Sequence, residues 1–414
     1  MPENNNLIMM TVSGQDRPGI TAALSRIMMD FGVDIVDIEQ ASLQDLLGLT
    51  FLMDLSRTTT SKDGVLKELL FAGSRLDLTL NFRLFSEKEI KEANNRQLYM
   101  LTYFGGTRAL AEISGILAEE AGNIETISGM TRHAAKCVEM MINVTATPSV
   151  SRLKQRLMAK GNELNIDLAF QKIEAYRKNK RLIFFDMDST LVDMEIIDEM
   201  AARAGVEAEV ERITEKAMAG ELDFEESLRQ RVAMLKGLTR ADLEDIRDNL
   251  RFSAGVRRVA RTLKSLGLKL GVVTGGFMFF AEYLKEELGF DFAFANKLEM
   301  KNDALTGRVE GQVIDAAQKA RIVNQVSRQQ GIILDQVVAV GDGANDALML
   351  GQAGLGLSYN AKAGLSRVAS SNIGRTRLTN ILYLMGITED DIARANALAD
   401  AADQVSDPAP SSPE

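Results

Sequence analysis

One cysteine and one histidine in 414 residues leave little room for several common kinds of chemistry. A solitary Cys137 cannot form an intramolecular disulfide, and it fits a reducing compartment. Cys137 and the sole histidine, His133, would face each other as a catalytic pair only on a helix. Lys136–Thr145 reads instead as a strand, so both are taken as structural. No apolar run of membrane-spanning length and no amino-terminal signal peptide is visible, which points to a cytoplasmic protein without a membrane partner. Excess positive charge is missing too: 48 Lys and Arg face 58 Asp and Glu, giving a net charge of −10 and a pI near 5.0. That sign speaks against nucleic acid as a partner.

What is present is the composition of a globular protein, 46% hydrophobic and 26% charged, in a chain long enough for two or three domains. The stretch Leu182-Ile183-Phe184-Phe185-Asp186-Met187-Asp188-Ser189-Thr190 carries the most information. Its four apolar residues read as a buried strand, after which the chain turns abruptly polar. Open α/β sheets bind ligands at the carboxyl ends of their strands. Residues i and i+2 leave an extended chain on one side, so Asp186 and Asp188 address the same reacting atom. Two like charges buried together call for a divalent cation.

An isolated Asp-x-Asp is most often a solvated turn, but three further stretches set this one apart. Val272-Val273-Thr274-Gly275-Gly276 ends a strand in a hydroxyl and exposed backbone N–H groups, suited to phosphate oxygens. Lys319, with Val323 and Val326 at helical spacing, points along an apolar stripe towards the sheet. Val337–Val340 is another buried strand, followed by Gly341-Asp342-Gly343-Ala344-Asn345-Asp346.

Together these stretches resemble the four motifs of the haloacid dehalogenase superfamily of phosphatases, in a domain placed at residues 178–398. Within it the phosphoserine phosphatases are resembled most, because of the insert after the first strand. Helical patterns over about 195–204, 207–219, 223–236 and 239–249 resemble a small helical cap spanning about 194–254. Phe224, Leu228, Arg231 and Leu235 form one stripe of a helix, and an arginine in an apolar stripe needs an anionic partner. Arg229, on another face, does not.

The resemblance implies that Arg231 grips a substrate carboxylate, Glu195 receives its ammonium, and Met218 and Phe224 wall the pocket. It also implies Asp186 as nucleophile and Asp188 as general acid–base, with Thr274, Gly275, Lys319 and Asn345 on the phosphate. Mg²⁺ would rest on Asp186, the Asp188 backbone carbonyl and Asp342, with Asp346 standing behind. The implied reaction is hydrolysis of O-phospho-L-serine to L-serine, the last step of serine biosynthesis. Transfer of phosphate to a second alcohol such as homoserine, action on another small phosphomonoester, and an amino-acid sensor with an inert phosphatase domain stay open.

The amino-terminal residues 1–86 alternate as βαββαβ, with Ile20, Leu24, Ile27, Met28 and Phe31 on one helical face and Pro18 near the helix start. That pattern, with Asp16-Arg17-Pro18-Gly19-Ile20, resembles an ACT domain, a small regulatory module that often binds amino acids. Because the implied product is itself an amino acid, L-serine is the expected ligand of such a module, with Asp16, Arg17 and Gly19 as its regulatory site. A degenerate second copy is placed at 97–175, after the polar segment Ser86–Arg96, with Gly105-Gly106-Thr107-Arg108 in place of the signature. Tandem ACT domains imply edge-to-edge pairing, a composite or dimeric site, and a homodimer or higher homo-oligomer. Residues 399–414, rich in Pro, Ser, Asp and Ala, read as a disordered tail. The expected fold class is therefore an α/β, Rossmann-like core with a small helical cap, preceded by two α+β modules.

Overall fold

The computed structural model describes residues 6–85, 96–131, 136–360, 371–373 and 378–406. His133 and most of the Ser86–Arg96 connection lie outside the described residues. The chain divides into two compact units, Met1–Arg96 and Gln97–Glu414.

The first unit runs β1 (Leu7–Gln15), α1 (Ile20–Asp30), β2 (Asp34–Leu43), β3 (Leu46–Asp54), α2 (Lys62–Arg75) and β4 (Leu78–Phe85). Its antiparallel sheet has the order β2-β3-β1-β4, the expected βαββαβ arrangement. Ile20, Leu24 and Met28 line the buried face of α1 at successive turns.

The second unit opens with β5 (Leu98–Phe104), α3 (Thr107–Glu119), β6 (Asn123–Gly129), β7 (Cys137–Asn143), α4 (Val150–Leu164) and β8 (Leu168–Lys172). The strand order β8-β5-β7-β6 repeats that of the first unit, so the degenerate copy is a real structural repeat. Its β8 edge, however, is not available for pairing with another small module. It pairs antiparallel with β15 (Ser371–Ile373) of the α/β core, making one eleven-stranded sheet. Edge-to-edge pairing of the modules, expected without a particular strand, is left to edges other than β8. Buried polar contacts reinforce the join: Arg177 pairs with Glu139, and the Gln171 side chain donates to the Leu384 carbonyl at 2.8 Å. Removing one partner of such contacts strands the other without water.

The core continues with β9 (Leu182–Phe185), α5 (Ile196–Ala204), α6 (Glu207–Met218), α7 (Phe224–Met234), α8 (Arg240–Asp248), α9 (Val256–Ser265), β10 (Lys269–Phe277) and α10 (Met278–Leu288). It then forms the hairpin β11 (Phe292–Lys301) and β12 (Ala304–Glu310), followed by α11 (Ala316–Gln329), β13 (Val337–Gly341), α12 (Ala347–Gln352) and β14 (Leu355–Tyr359). After β15 come α13 (Asn380–Leu384) and α14 (Glu389–Ser406). β9 lies between β10 and β13, parallel to both. Leu182 and Phe184 pack into one core cluster, and Ile183 and Phe185 into another. That alternation marks a strand covered on both faces.

Two differences from the sequence reading stand out. Residues 399–406, assigned to a tail, continue α14, while 407–414 lie outside the described residues. The β11–β12 hairpin was not anticipated. Among the described residues no helix is long and apolar enough to cross a membrane.

Candidate active site

The carboxyl ends of β9, β10 and β13 bring the expected groups together. Asp186 follows β9, and its backbone N–H donates to the Val340 carbonyl of β13 at 2.8 Å. Lys319, from the first turns of α11, is 1% exposed. Its Nζ lies 2.8 Å from Asp186 Oδ1 and 2.8 Å from Asp346 Oδ1. Buried carboxylate oxygens of Asp186, Asp342 and Asp346 all lie within 4.8 Å of one another. Asp346, expected behind the metal ligands, therefore stands in the cluster itself. Its Oδ2 also accepts from the Gly343 N–H at 3.1 Å, which fixes its orientation.

Three buried carboxylates against one ammonium leave an excess of negative charge that is costly without a cation. The donors are hard oxygens, with neither histidine nor cysteine among them, and they fit a hard divalent ion.

Asp188 links the core to the cap. Its Oδ1 accepts from the Ile196 N–H, at the start of α5, at 3.0 Å. Burial, with Glu195 and Asp186 nearby, pushes its carboxyl up to about 8. A cation on Asp186 and Asp342 would draw that value down. Ser189 adopts a left-handed φ of 55°, and its hydroxyl donates to Glu195 Oε1 at 3.0 Å.

Thr274 is buried, and its Oγ1 accepts from the Gly276 N–H at 2.9 Å. The Thr274-Gly275-Gly276 segment lies within β10 rather than in a separate turn, where pairing with β11 becomes irregular between Val273 and Phe277. The glycines there are required by close approach. A Cβ on Gly275 would come 2.9 Å from the Phe224 ring of the cap, and one on Gly276 2.7 Å from Asp188 Oδ2.

Phe224 begins α7 and Arg231 lies two turns on, while Arg229 faces outward and pairs with Glu225 at 2.7 Å. Burial pulls the Arg231 guanidinium below its ordinary value, against the opposing fields of Asp198, Glu195 and Asp188. Arg231 Nε donates to the Ser227 carbonyl of its own helix at 3.4 Å. Asn345 is half-buried beside Gly343. Met218 ends α6, and its side chain lies outside the described residues.

A family model for haloacid dehalogenase-like hydrolases matches residues 180–354, and one for ACT domains matches 6–83. Phosphoserine phosphatase SerB2 of Mycobacterium tuberculosis is 36% identical over 94% of this chain and 95% of that protein. The phosphoserine phosphatase of Streptomyces coelicolor is 36% identical over 95% of each. The chain belongs to the phosphoserine phosphatase family of haloacid dehalogenase-like hydrolases. A solved structure of a probable phosphoserine phosphatase from Vibrio cholerae, unliganded, is similar with a TM-score of 0.55 and 30% identity. That match covers 73% of this chain and 88% of the other.

One residue that fixes the Thr274-Gly275-Gly276 segment escaped the sequence reading. Asn296 on β11 is 1% exposed; its Nδ2 donates to the Gly275 carbonyl at 2.7 Å, and its Oδ1 accepts from the Ile314 N–H at 2.8 Å. It ties the loop of β10 to the chain entering α11, and so to Lys319. The available signal was a lone amide within the largely apolar run Phe292–Leu298, since a buried polar group must find partners.

Asp16, Arg17 and Gly19 belong to the first unit. They line a surface hollow of about 570 Å³. Asp16 Oδ2 accepts from the Ser42 hydroxyl at 2.6 Å, and Arg17 donates to Gln15 at 2.7 Å. Gly19, at φ 95°, caps α1.

Proposed function

We propose that the protein hydrolyses O-phospho-L-serine to L-serine and phosphate with Mg²⁺, through an aspartyl-phosphate on Asp186. Support for this reading comes from the join of cap and core, where Glu195 accepts from the Ser189 hydroxyl and Asp188 from the Ile196 N–H beside the Asp186–Lys319 pair, with the half-buried Arg231 in the field of both carboxylates. A phosphoamino acid presents the complementary groups: a carboxylate for Arg231, an ammonium for Glu195 and a phosphate for the core.

Asp186, Asp342 and the Asp188 carbonyl would hold the ion, with the Asp346 carboxylate beside them, and Mg²⁺ there would supply positive charge to offset the phosphate. An Asp186 carboxylate oxygen attacks phosphorus as the bond to the seryl oxygen breaks. Asp188 passes its proton to that leaving oxygen, then takes one from the water that opens the aspartyl-phosphate. Phosphate departs and Asp186 is restored. Lys319, Thr274, Asn345 and backbone N–H groups near Gly275 bear the charge on the oxygens that do not react.

The reading is tested at Arg231. Arg231→Ala is expected to weaken kcat/KM for phosphoserine by about 2–5 kcal/mol, the range for losing a buried charged hydrogen bond. 4-Nitrophenyl phosphate has no carboxylate to lose and should be nearly unaffected. Equal losses on both substrates would make Arg231 a structural residue.

L-serine is proposed as a feedback ligand at the Asp16-Arg17-Pro18-Gly19 hollow. Asp16 would receive the ammonium, and N–H groups opening α1 the carboxylate. At low phosphoserine, the wild type should lose activity at lower serine than Asp16→Ala does. Superimposable serine titrations would restrict serine to product competition at the active site. A homodimeric assembly fits such regulation, the coupling being a difference in affinity between two states of typically ~1–3 kcal/mol.

A further inference from the structure

The cap is inserted between β9 and β10, yet one part of it is tied to the core by main-chain hydrogen bonds far from either insertion point. The link between α7 and α8 runs antiparallel to β12. Gly237 N–H donates to the Leu305 carbonyl at 2.9 Å, and Leu305 N–H to the Leu238 carbonyl at 2.8 Å. Arg240 N–H donates to the Asp303 carbonyl at 2.9 Å, and Thr239 bridges Ala304. Leu235, Leu238 and Leu305 are buried beside this short ladder.

The hairpin meets the backbone of α7 at Gly307, where φ is +83°. A Cβ there would meet the Ala233 carbonyl oxygen at 3.2 Å and Ala233 Cα at 3.3 Å, backbone atoms of the last turn of α7. At its other end α7 rests Phe224 on Gly275. The helix that carries Arg231 is therefore held at both ends by the core. In α6, by contrast, Val210 alone is buried among the described residues.

We infer that the β11–β12 hairpin, through Gly307 and its ladder to Gly237–Arg240, is the anchor that sets Arg231 against the catalytic floor. Gly307 is a positioning residue for substrate selection. The α7–α8 half of the cap is a fixed gauge of the distance between carboxylate and phosphate, while the lightly held α6 is the part able to move. The inference rests on the reading of Arg231 as the receptor of the substrate carboxylate. Small displacements of such a group are costly, because a misplacement of about 1 Å can cost on the order of 10²-fold in rate.

The test pairs Gly307→Ala with Gly311→Ala. Gly311 lies just beyond the hairpin with φ +72° and nothing within 4 Å, so its alanine variant bears a similar backbone cost without touching the cap. Gly307→Ala should raise KM for phosphoserine roughly tenfold, with kcat and the 4-nitrophenyl phosphate reaction changed less than about twofold. Gly311→Ala should match the wild type on both substrates. Adding Gly307→Ala to Arg231→Ala should produce no further rise in KM. A parallel loss on both substrates, or an unchanged phosphoserine KM in folded Gly307→Ala, overturns the inference.

Hydrogen exchange on the unaltered full-length protein decides the matter independently of any variant's folding, and of what Arg231 binds. The Gly237, Arg240 and Leu305 amides should exchange with the slow amides of the core strands, and those of α6 distinctly faster. Amides of Gly237 and Arg240 exchanging as fast as α6 would show that the hairpin anchors nothing. Failure of Arg231→Ala to discriminate between substrates, with slow exchange at Gly237, would instead overturn the role of Arg231 and leave the anchor standing.

Discussion

Replacing Asp186 by asparagine is expected to leave a folded protein that neither releases phosphate from phosphoserine nor forms a phosphoryl-enzyme. The amide keeps the shape of the carboxylate but is a poor nucleophile, and it removes one of the buried oxygens suited to the ion. The fold should tolerate the change. Lys319 keeps Asp346 as a partner, and one of three mutually repelling carboxylates is gone. A fall in turnover of roughly 10⁴-fold or more is the scale for loss of a covalent nucleophile. Acid quenching during turnover and intact-mass measurement should detect an added phosphoryl group on the wild type and none on the variant. Thermal melting by circular dichroism should show the variant at least as stable. Turnover near that of the wild type would end the covalent mechanism, whatever the family.

Much of this site was legible in the sequence because its parts are local. The apolar run before Asp186, the stripe from Lys319 to Val326 and the strand before Asp342 each show within a few residues what they pack against. The cap helices announced themselves in the same way, and the outward face of Arg229 could be told from the stripe of Arg231. Asn296 was not legible, because its partners lie 21 and 18 residues away and no local pattern names them. The β11–β12 hairpin was missed although Asn302 and Asp303, both at positive φ, form its turn. Asn-Asp is a weaker hairpin signal than Asn-Gly.

The second α+β module was recognised as a repeat, but a repeat in sequence does not disclose which sheet edge is occupied. Occupancy here depends on β15 and on contacts such as Gln171 with Leu384, 213 residues apart. Arg177 opens the basic run Arg177-Lys178-Asn179-Lys180-Arg181, which by composition alone would be solvated, yet Glu139 on β7 draws it into the interior. The reading of 399–414 as a tail counted its alanines together with proline and serine. Alanine is the best helix former, and Ala399, Ala401 and Ala402 carry α14 on to Ser406. A consequence for experiment is that truncation after residue 96 respects the boundary between units, whereas truncation at 175 strips the phosphatase sheet of its β8 neighbour.

Asp188→Asn should slow turnover of phosphoserine by roughly 10²–10⁴-fold, the range for loss of a positioned general acid–base. The geometry need not suffer, because the asparagine carbonyl can still accept from the Ile196 N–H that orients Asp188. What disappears is the proton held there by burial and by the neighbouring Glu195 and Asp186 carboxylates. The two half-reactions need that group differently. A seryl alkoxide is a poor leaving group and requires the proton, so phosphoserine should be blocked at formation of the aspartyl-phosphate. 4-Nitrophenolate leaves unprotonated, so the aryl substrate should still phosphorylate Asp186. Its breakdown, for which water must give up a proton to Asp188, should be slow. Rapid mixing of the variant with 4-nitrophenyl phosphate should therefore show a burst of nitrophenolate close to one equivalent per active site, then a slow steady state. The same variant with phosphoserine should show no burst and little phosphoryl-enzyme. Equal slowing of the first step with both substrates would mean that Asp188 shapes the site without transferring the proton, and the acid–base assignment would pass to another group.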